Sequence, residues 1–203
     1  MREMIKMVLV IAILSSFSGG LLAGLRIGTK DRIEMQQLAF VKGPAIKSIL
    51  KDCSNNPIMD RFKIQDGDIE RSFFVGIKDG KPDYVAFEEY GKGFGGDIGV
   101  MVGVNLTNDQ LIGIGVTTHS ETPGLGSKAK TEPGFAAQFI GRILGHPIKV
   151  KSNGGKIDAL TGATITSAGV CSAVRTSGNL YKRIKSKILQ KVKSLKKKEK
   201  TNG

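Results

Sequence analysis

From Met7 to Leu25 the chain reads "MVLVIAILSSFSGGLLAGL", nineteen residues without a charge, bounded by Lys6 and Arg26. At ~1.5 Å rise per residue, a helix of this run crosses roughly 30 Å of hydrocarbon. Whatever the rest folds into must therefore follow a membrane-spanning helix or lose that segment on export. A cleaved signal peptide normally has a shorter apolar region ending in a small-x-small site, and Leu21 before Ala23 fits that poorly. The expectation is a retained single-pass anchor over 7–25, with residues 1–6 as its flank. No second run of this kind follows, which places everything after Leu25 on one side. Arg2 and Lys6 precede the span while Arg26, Lys30 and Arg32 follow it, so the positive-inside count does not choose that side. Gly20 and Gly24 match a helix-packing spacing too common to imply a dimer.

The remaining length suits one domain with a real core. Its glycine content and lack of tryptophan favour a turn-rich domain over a long helical bundle. The formal charge of +13 suggests nucleic acid until it is mapped. From Tyr181 onward ten Lys/Arg accompany one acid, Glu199, so this stretch holds +9 of the total. No motif interleaves aromatics with those charges, and a nucleic-acid partner is not expected. Cys53 and Cys171 belong to no CxxC or Cys/His cluster, and His119 and His146 are isolated. No metal site is expected, and buried free thiols are favoured over a disulfide.

Thr29 to Asp52 has the loose apolar periodicity of a helix, interrupted near Gly43-Pro44. This gives a helical stalk over 26–59, with "SNNPIMD" as a break and the globular domain over 60–190. "SFFVGIKDGKPDYVAFEEY" is a hairpin turning at Asp79-Gly80, and "DIGVMVGVNLTNDQLIGIGVTT" a second one turning at Asn108-Asp109. The glycines of the latter suggest bending or the close approach of another group. "EPGFAAQFIGRI" reads as a short helix with Thr131 as cap and Pro133 in its first turn. "PIKVKS" suggests a strand and Asn153-Gly154-Gly155 a turn. A long helix is expected from Ser167, as N-cap, to about Leu195. Its stripe Val170, Val174, Tyr181, Ile184, Ile188, Val192, Leu195 is helical in spacing, with a gap at Ser177. The fold class is α+β, a curved antiparallel sheet with flanking helices on one side. Docking of the last helix is expected as far as about Ile188, with a basic tail over 191–203 that frays beyond Leu195.

Two loops and a cluster of hydroxyls remain. "HSETPGLGSKAK", His119 to Lys130, can wrap a flat ligand closely, because Gly124 and Gly126 let the main chain approach without a Cβ. Glu121, Thr122 and the loop amides offer hydrogen bonds to a polar ring edge. "GKGFGG", Gly91 to Gly96, has the spacing of neither a P-loop nor a Rossmann fingerprint, so it is not read as a phosphate cradle. "DALTGATITSAGV", Asp158 to Val170, concentrates Thr161, Thr164, Thr166 and Ser167 at a helix start, where free amides and the helix dipole favour a phosphate. Local capping and turn bonds account for three of these hydroxyls.

Thr164 is the exception, because Asp158-Ala159-Leu160-Thr161-Gly162-Ala163-Thr164 matches the D-x-x-(S/T)-G-A-T pattern at which flavin transferases esterify a threonine with FMN. The chain resembles the G subunit of Rnf-type membrane electron-transport complexes. It is also similar to the C subunit of the sodium-pumping NADH:quinone oxidoreductase. The likeness rests on the anchor, "GFGGDIGVMVGV", "ETPGLG" and "TGATITS", in that order. It implies an FMN-binding domain with covalent FMN as a phosphoester on Thr164 and Asp158 in the transferase recognition motif. The cofactor-binding set it suggests is Glu121, Thr122, Gly124, Leu125, Gly126, Lys128, Asp158, Thr161, Gly162, Ala163, Thr164, Ile165 and Thr166. Lys128 or Lys130, or amides of the Gly124–Gly126 loop, would stabilise negative charge on the ring. The resemblance also implies a transferase using FAD and Mg²⁺ and releasing AMP, and partner subunits in an ion-translocating complex of the cytoplasmic membrane. The FMN domain would lie on the periplasmic face. The chain would be a redox carrier rather than a stand-alone catalyst. Two other readings share parts of the pattern: a flavin-bearing sensor domain, and a non-redox module whose lysine-rich tail binds acidic headgroups.

Overall fold

The computed structural model describes residues 1–199. The chain forms two compact units, Met1–Phe40 and Val41–Gly203. The first is helical: α1 (Arg2–Gln36) contains the apolar run, buries none of its side chains, and passes into a π-helical turn, Gln37–Lys42. It includes a segment long and apolar enough to cross a membrane. The π turn precedes Pro44, which has no N–H to give the carbonyl four residues back, so the regular ladder is lost there. The second unit opens at Val41. Helix α2 (Gly43–Ile49), which the sequence alone suggests is part of a stalk, therefore belongs to the domain.

Five strands follow: β1 (Arg61–Asp66), β2 (Ile69–Lys78), β3 (Lys81–Lys92), β4 (Asp97–Asn105) and β5 (Leu111–Val116). They form one antiparallel meander in the order 1-2-3-4-5. Asp79 (φ +51°) and Gly80 (φ +69°) are both left-handed, the requirement of a two-residue hairpin turn that matches strand twist. Register shifts at Gly76/Lys78 and Gly103/Val104 bend the sheet. Strand β1 has no counterpart in the sequence-based expectation; only Ile64 in it is buried, and its turn uses Gly67 at φ +63°.

Strand alternation gives the sheet two different faces. One carries Phe62, Phe73, Phe87, Val102 and Ile114 side by side across all five strands. Phe62 stacks on Phe73 (5.6 Å), Phe73 meets Phe87 at a tilt (5.3 Å), and Phe87 stacks on Tyr181 of α5 (6.4 Å). Helix α5 (Thr164–Glu199) buries Val170, Val174, Ser177, Tyr181, Ile184, Ile188 and Val192. Ser177 fills the apparent gap in the stripe, with its hydroxyl donating to the Val174 carbonyl at 2.7 Å. The other face is lined by Gly103, Gly113 and Gly115, and α2 lies on it. A Cβ at Gly103 would fall 2.2 Å from Ile49, and one at Gly115 2.9 Å from Ala45. The sheet thus carries helices on both faces rather than on one, and α2 is the group its glycines admit.

Several local readings change. Helix α5 starts at Thr164, so Ser167 is not its N-cap but a buried residue of its first turns. Thr131 ends α3 (Lys128–Thr131), and α4 (Pro133–Ala137) is preceded by Glu132 with no side-chain cap. "PIKVKS" contributes a single bridge, Val150 to Ile157, and a 3₁₀ turn, Lys151–Asn153. The last helix docks beyond Ile188, since Val192 is buried and Leu195 packs on the core. It continues to Glu199; residues 200–203 of the expected tail lie outside those described.

Basic residues of α5 tie it to the sheet turns. Asp109 accepts from the Tyr181 hydroxyl (2.8 Å) and twice from Lys185 (2.7 and 2.8 Å). Asp66 accepts two bonds from Arg183 (2.6 and 3.2 Å) and one from Arg71 (3.2 Å). Burial works against the Asp109 carboxylate, but the Lys185 and Tyr181 hydrogen bonds and the Lys185 charge outweigh it and hold its pKa below the ordinary value. A depressed carboxylate stabilises the fold above its unfolded pKa of ~3.9, and that contribution is lost as pH falls through the folded value. Asp109→Asn keeps the left-handed backbone and should lower stability to urea at pH 7, with the difference from the parent shrinking below pH ~3.9. Truncation after Gln190 removes Val192 and Leu195. It should cost ~1.5–3 kcal/mol from the valine's burial alone, read as a lower urea midpoint.

Candidate functional site

Close glycine contacts seat the start of α5 on the sheet. A Cβ at Gly91, near the end of β3, would fall 2.0 Å from the Gly169 carbonyl oxygen, and one at Gly169 would fall 2.5 Å from the Lys92 carbonyl oxygen. Just before α5, residues 149–157 form a closed loop in which the Lys149 carbonyl accepts from both Lys156 and Ile157 (3.1 Å each). Gln138 clamps its exit: the Asp158 N–H donates to Gln138 Oε1 (2.7 Å) and Gln138 Nε2 donates to the Asp158 carbonyl (3.2 Å). The Asp158 carboxylate is exposed and paired with Lys151 at 2.7 Å.

The turn into α5 follows from Gly162 at φ +75° and from Ser167. The Ser167 hydroxyl accepts from the Leu160 N–H (3.0 Å) and donates to the Ala163 carbonyl (2.9 Å), closing the turn from inside the helix. The Ser167 N–H to Ala163 carbonyl bond (2.9 Å) opens the helical ladder. The amides of Thr164, Ile165 and Thr166 come before it and have no carbonyl partner within the helix. Thr164 and Ile165 are exposed, whereas Ala163, Thr166 and Ser167 are buried.

The buried hydroxyl of Thr166 points at the second motif. It donates to Glu121 Oε2 at 2.5 Å, while Glu121 Oε1 accepts from the Gly95 N–H at 2.9 Å. Glu121 is 6% exposed. Missing Cβ atoms make its room: one at Gly93 would fall 2.3 Å from Oε1, and one at Gly126 2.5 Å from Oε2. Three segments far apart in sequence, 93–96, 121–126 and 162–167, thus meet at one carboxylate. The first lacks the spacing of a phosphate cradle, and it is still part of the site. Its signal in the sequence is the density of glycines around an aromatic residue.

Within the 121–126 segment, the Thr122 carbonyl accepts from Leu125 (3.2 Å) and Ser127 (3.3 Å), and Gly124, at φ +75°, donates to the Ser127 hydroxyl (2.9 Å). Leu125 reaches toward the turn into α5, its Cδ2 only 2.9 Å from where a Cβ on Gly162 would stand. Leu125 (46% exposed), Ile165 (56%) and Phe94 (72%) present large apolar side chains to solvent from the three segments. The Lys130 amine is committed to the Thr117 carbonyl at 3.0 Å, Lys128 is exposed on α3, and Thr161 is exposed on the turn. Thr117 in turn donates to Glu88, which pairs with Lys42 at 2.6 Å, so the exit of β5 into the motif loop is held by a polar network.

Residues 93–177, which span all three segments, match the FMN-binding domain family. The G subunit of the ion-translocating oxidoreductase complex of Shewanella baltica is 30% identical over 189 residues, covering 87% of this chain and 88% of the relative. The chain belongs to the G-subunit family of Rnf-type ion-translocating oxidoreductase complexes. The corresponding G subunit of Haemophilus influenzae is 33% identical over 168 residues (76% and 79% covered). That of Methanosarcina acetivorans is 29% identical over 179 residues (87% and 93% covered). The C subunit of the Na⁺-translocating NADH-quinone reductase from Parabacteroides distasonis shares the fold, with a TM-score of 0.51 at 24% identity over 60% of this chain and 75% of that one.

The residues present suit FMN. Unpaired amides at a helix start answer a phosphate, and exposed apolar side chains answer a flat ring system. The glycine contacts give a direct check. Gly126→Ala drives a Cβ into Glu121 and Thr166 and should cost about 1–3 kcal/mol. Gly124→Ala has open space and should cost only the ~1 kcal/mol of a left-handed backbone. Thermal melts of the two variants should fall in that order.

Proposed function

We propose that this chain is a membrane-anchored flavoprotein subunit that carries FMN covalently on Thr164 and relays electrons between partner subunits of an ion-translocating complex. The observation that carries the reading is the position of Thr164. Its hydroxyl is exposed on the first residue of α5, in the D-x-x-T-G-A-T sequence, beside amides with no partner in the helix. A flavin transferase would use FAD and Mg²⁺. The Thr164 Oγ1–phosphorus bond forms as the FAD pyrophosphate bond breaks, AMP leaves and the hydroxyl proton is lost to base. The exposure of Thr164 suits a hydroxyl that another protein must reach.

Bound FMN supplies the redox chemistry, accepting and releasing electrons. The chain's own part is to hold and orient it. The amides of Thr164, Ile165 and Thr166 and the positive end of α5 favour the phosphate, which stays charged as a diester. Leu125, Ile165 and Phe94 offer apolar contact to the ring. Thr122 and the amides around Gly124 and Gly126 offer donors to its polar edge. Lys128, at the start of α3, is an exposed cation beside that loop, and Asp158, held by Lys151 and Gln138, stands at the head of the recognition motif. Covalent attachment suits the periplasmic side, where free flavin is scarce and dissociation would be loss.

Thr164→Ala should abolish the covalent adduct and leave the fold intact, because an exposed hydroxyl contributes little packing. In-gel flavin fluorescence of denatured protein and intact mass check it, and a persisting adduct would move attachment to Thr161 or Thr166. Asp158→Ala should slow modification without removing the acceptor. A wild-type rate would reduce Asp158 to a turn residue.

A further inference from the structure

The sequence suggests Glu121 as a contact of the flavin ring, but both of its oxygens are engaged inside the protein. Oε1 accepts from the Gly95 amide at 2.9 Å and Oε2 from the Thr166 hydroxyl at 2.5 Å. We propose that Glu121 is a positioning residue for flavin attachment, acting through Thr166 to fix the first turn of α5 and the Thr164 hydroxyl two residues earlier. This rests on the reading of Thr164 as the acceptor.

As a mere brace between loops, a carboxylate is a poor choice. Burying a charge is costly even when it is hydrogen-bonded, and a neutral glutamine could accept the same two bonds without that cost. Neither donor to Glu121 is a cation. What a carboxylate adds is direction: it only accepts, so the Thr166 hydroxyl can bond it in one sense alone. That matters at this helix start. Ala163, just ahead of α5, has no side chain able to cap it, and a threonine hydroxyl in a first turn is otherwise free to bond nearby backbone and loosen the turn. Glu121 takes that hydroxyl away from the backbone. Ser167 pins the same turn from the other side through Leu160 and Ala163. With Thr166 and Ser167 both held inward, the turn cannot rotate, and Thr164 stays on the outer face. The negative charge beside the first turn also suits the helix dipole. The same carboxylate holds Gly95, and with it the loop bearing Phe94, against this turn.

The test is the rate at which full-length protein in detergent gains the FMN mass when given a flavin transferase, FAD and Mg²⁺. Thr166→Val removes the hydroxyl at nearly constant volume. It should lower the turnover of transfer about ten- to a hundredfold, with the KM for the acceptor chain nearly unchanged and unfolding still cooperative. Thr166→Ser keeps the hydroxyl and should restore the rate. If Thr166→Val does not fold, Thr166→Ala, which leaves space for a water beside Glu121, is read against the same two outcomes. Modification of the valine or alanine variant at the parental rate overturns the proposal. So does a slowing that lies wholly in KM, which would make the segment a transferase-docking surface. A parent chain that gains no FMN at all refutes the acceptor reading itself, and a modified parent with an unslowed variant refutes only the positioning role.

Discussion

The site depends on how closely α5 approaches β3. At Gly91 and Gly169 a side chain on either residue would collide with backbone of the other element. Because the helix sits this low, its first turn lies beside the glycine loop that leaves β3, and Glu121 can bridge from the loop after β5. Further along, Phe87 against Tyr181 fixes the same helix at its middle, and Asp66 and Asp109 hold it from two sheet turns. One long helix is therefore registered at several points, and the exact position of its N-terminus is the result.

This changes how the basic C-terminal region is understood. Lysine-rich helix ends normally face solvent or a charged partner. Here Arg183 and Lys185 are ligated by sheet carboxylates, Lys182 donates to the Gly145 carbonyl at 3.2 Å, and Lys185 also lies over the Tyr181 ring at 5.5 Å. Part of the positive charge thus offsets acidic turns of the sheet and stiffens the helix that ends in the site. Among the residues whose side chains are described, Lys187, Lys191 and Lys193 are exposed and make no ion pair of this kind.

How much of this is legible in the sequence depends on distance along the chain. The hairpins are readable because Asp79-Gly80 and Asn108-Asp109 announce turns between β-rich runs. The long helix is readable from its stripe, though its start is not. A serine before an apolar run resembles a cap, whereas Ser167 closes the turn from inside, three residues after the helix begins. Strand β1 escapes notice because it is an edge strand with one buried residue, so polar side chains hide its alternation. The second helical face escapes because α2 looks like stalk, and only its fit against Gly103 and Gly115 shows where it belongs. Thr164 is reached through its motif. The contact of Glu121 with Thr166 is not, because the two lie 45 residues apart and no local pattern pairs a glutamate with a distant threonine.

A carrier of the kind proposed would face two opposed demands. An acceptor hydroxyl of the proposed kind would have to be open enough for another protein to modify, yet the attached ring would have to be held well enough to exchange electrons in a defined orientation. A deep pocket would satisfy the second and defeat the first. The geometry here separates them. Thr164 stands exposed on the helix end, and rigidity comes from beneath it, where Thr166, Ser167, Glu121 and Gly126 are buried. The apolar side chains left outside, Phe94, Leu125 and Ile165, cost solvation while the site is bare. They gain cover only once a flat apolar group is attached beside them. The domain is thus stiff below and apolar above, and on the proposed reading attachment of FMN would cover that surface without requiring the fold to move.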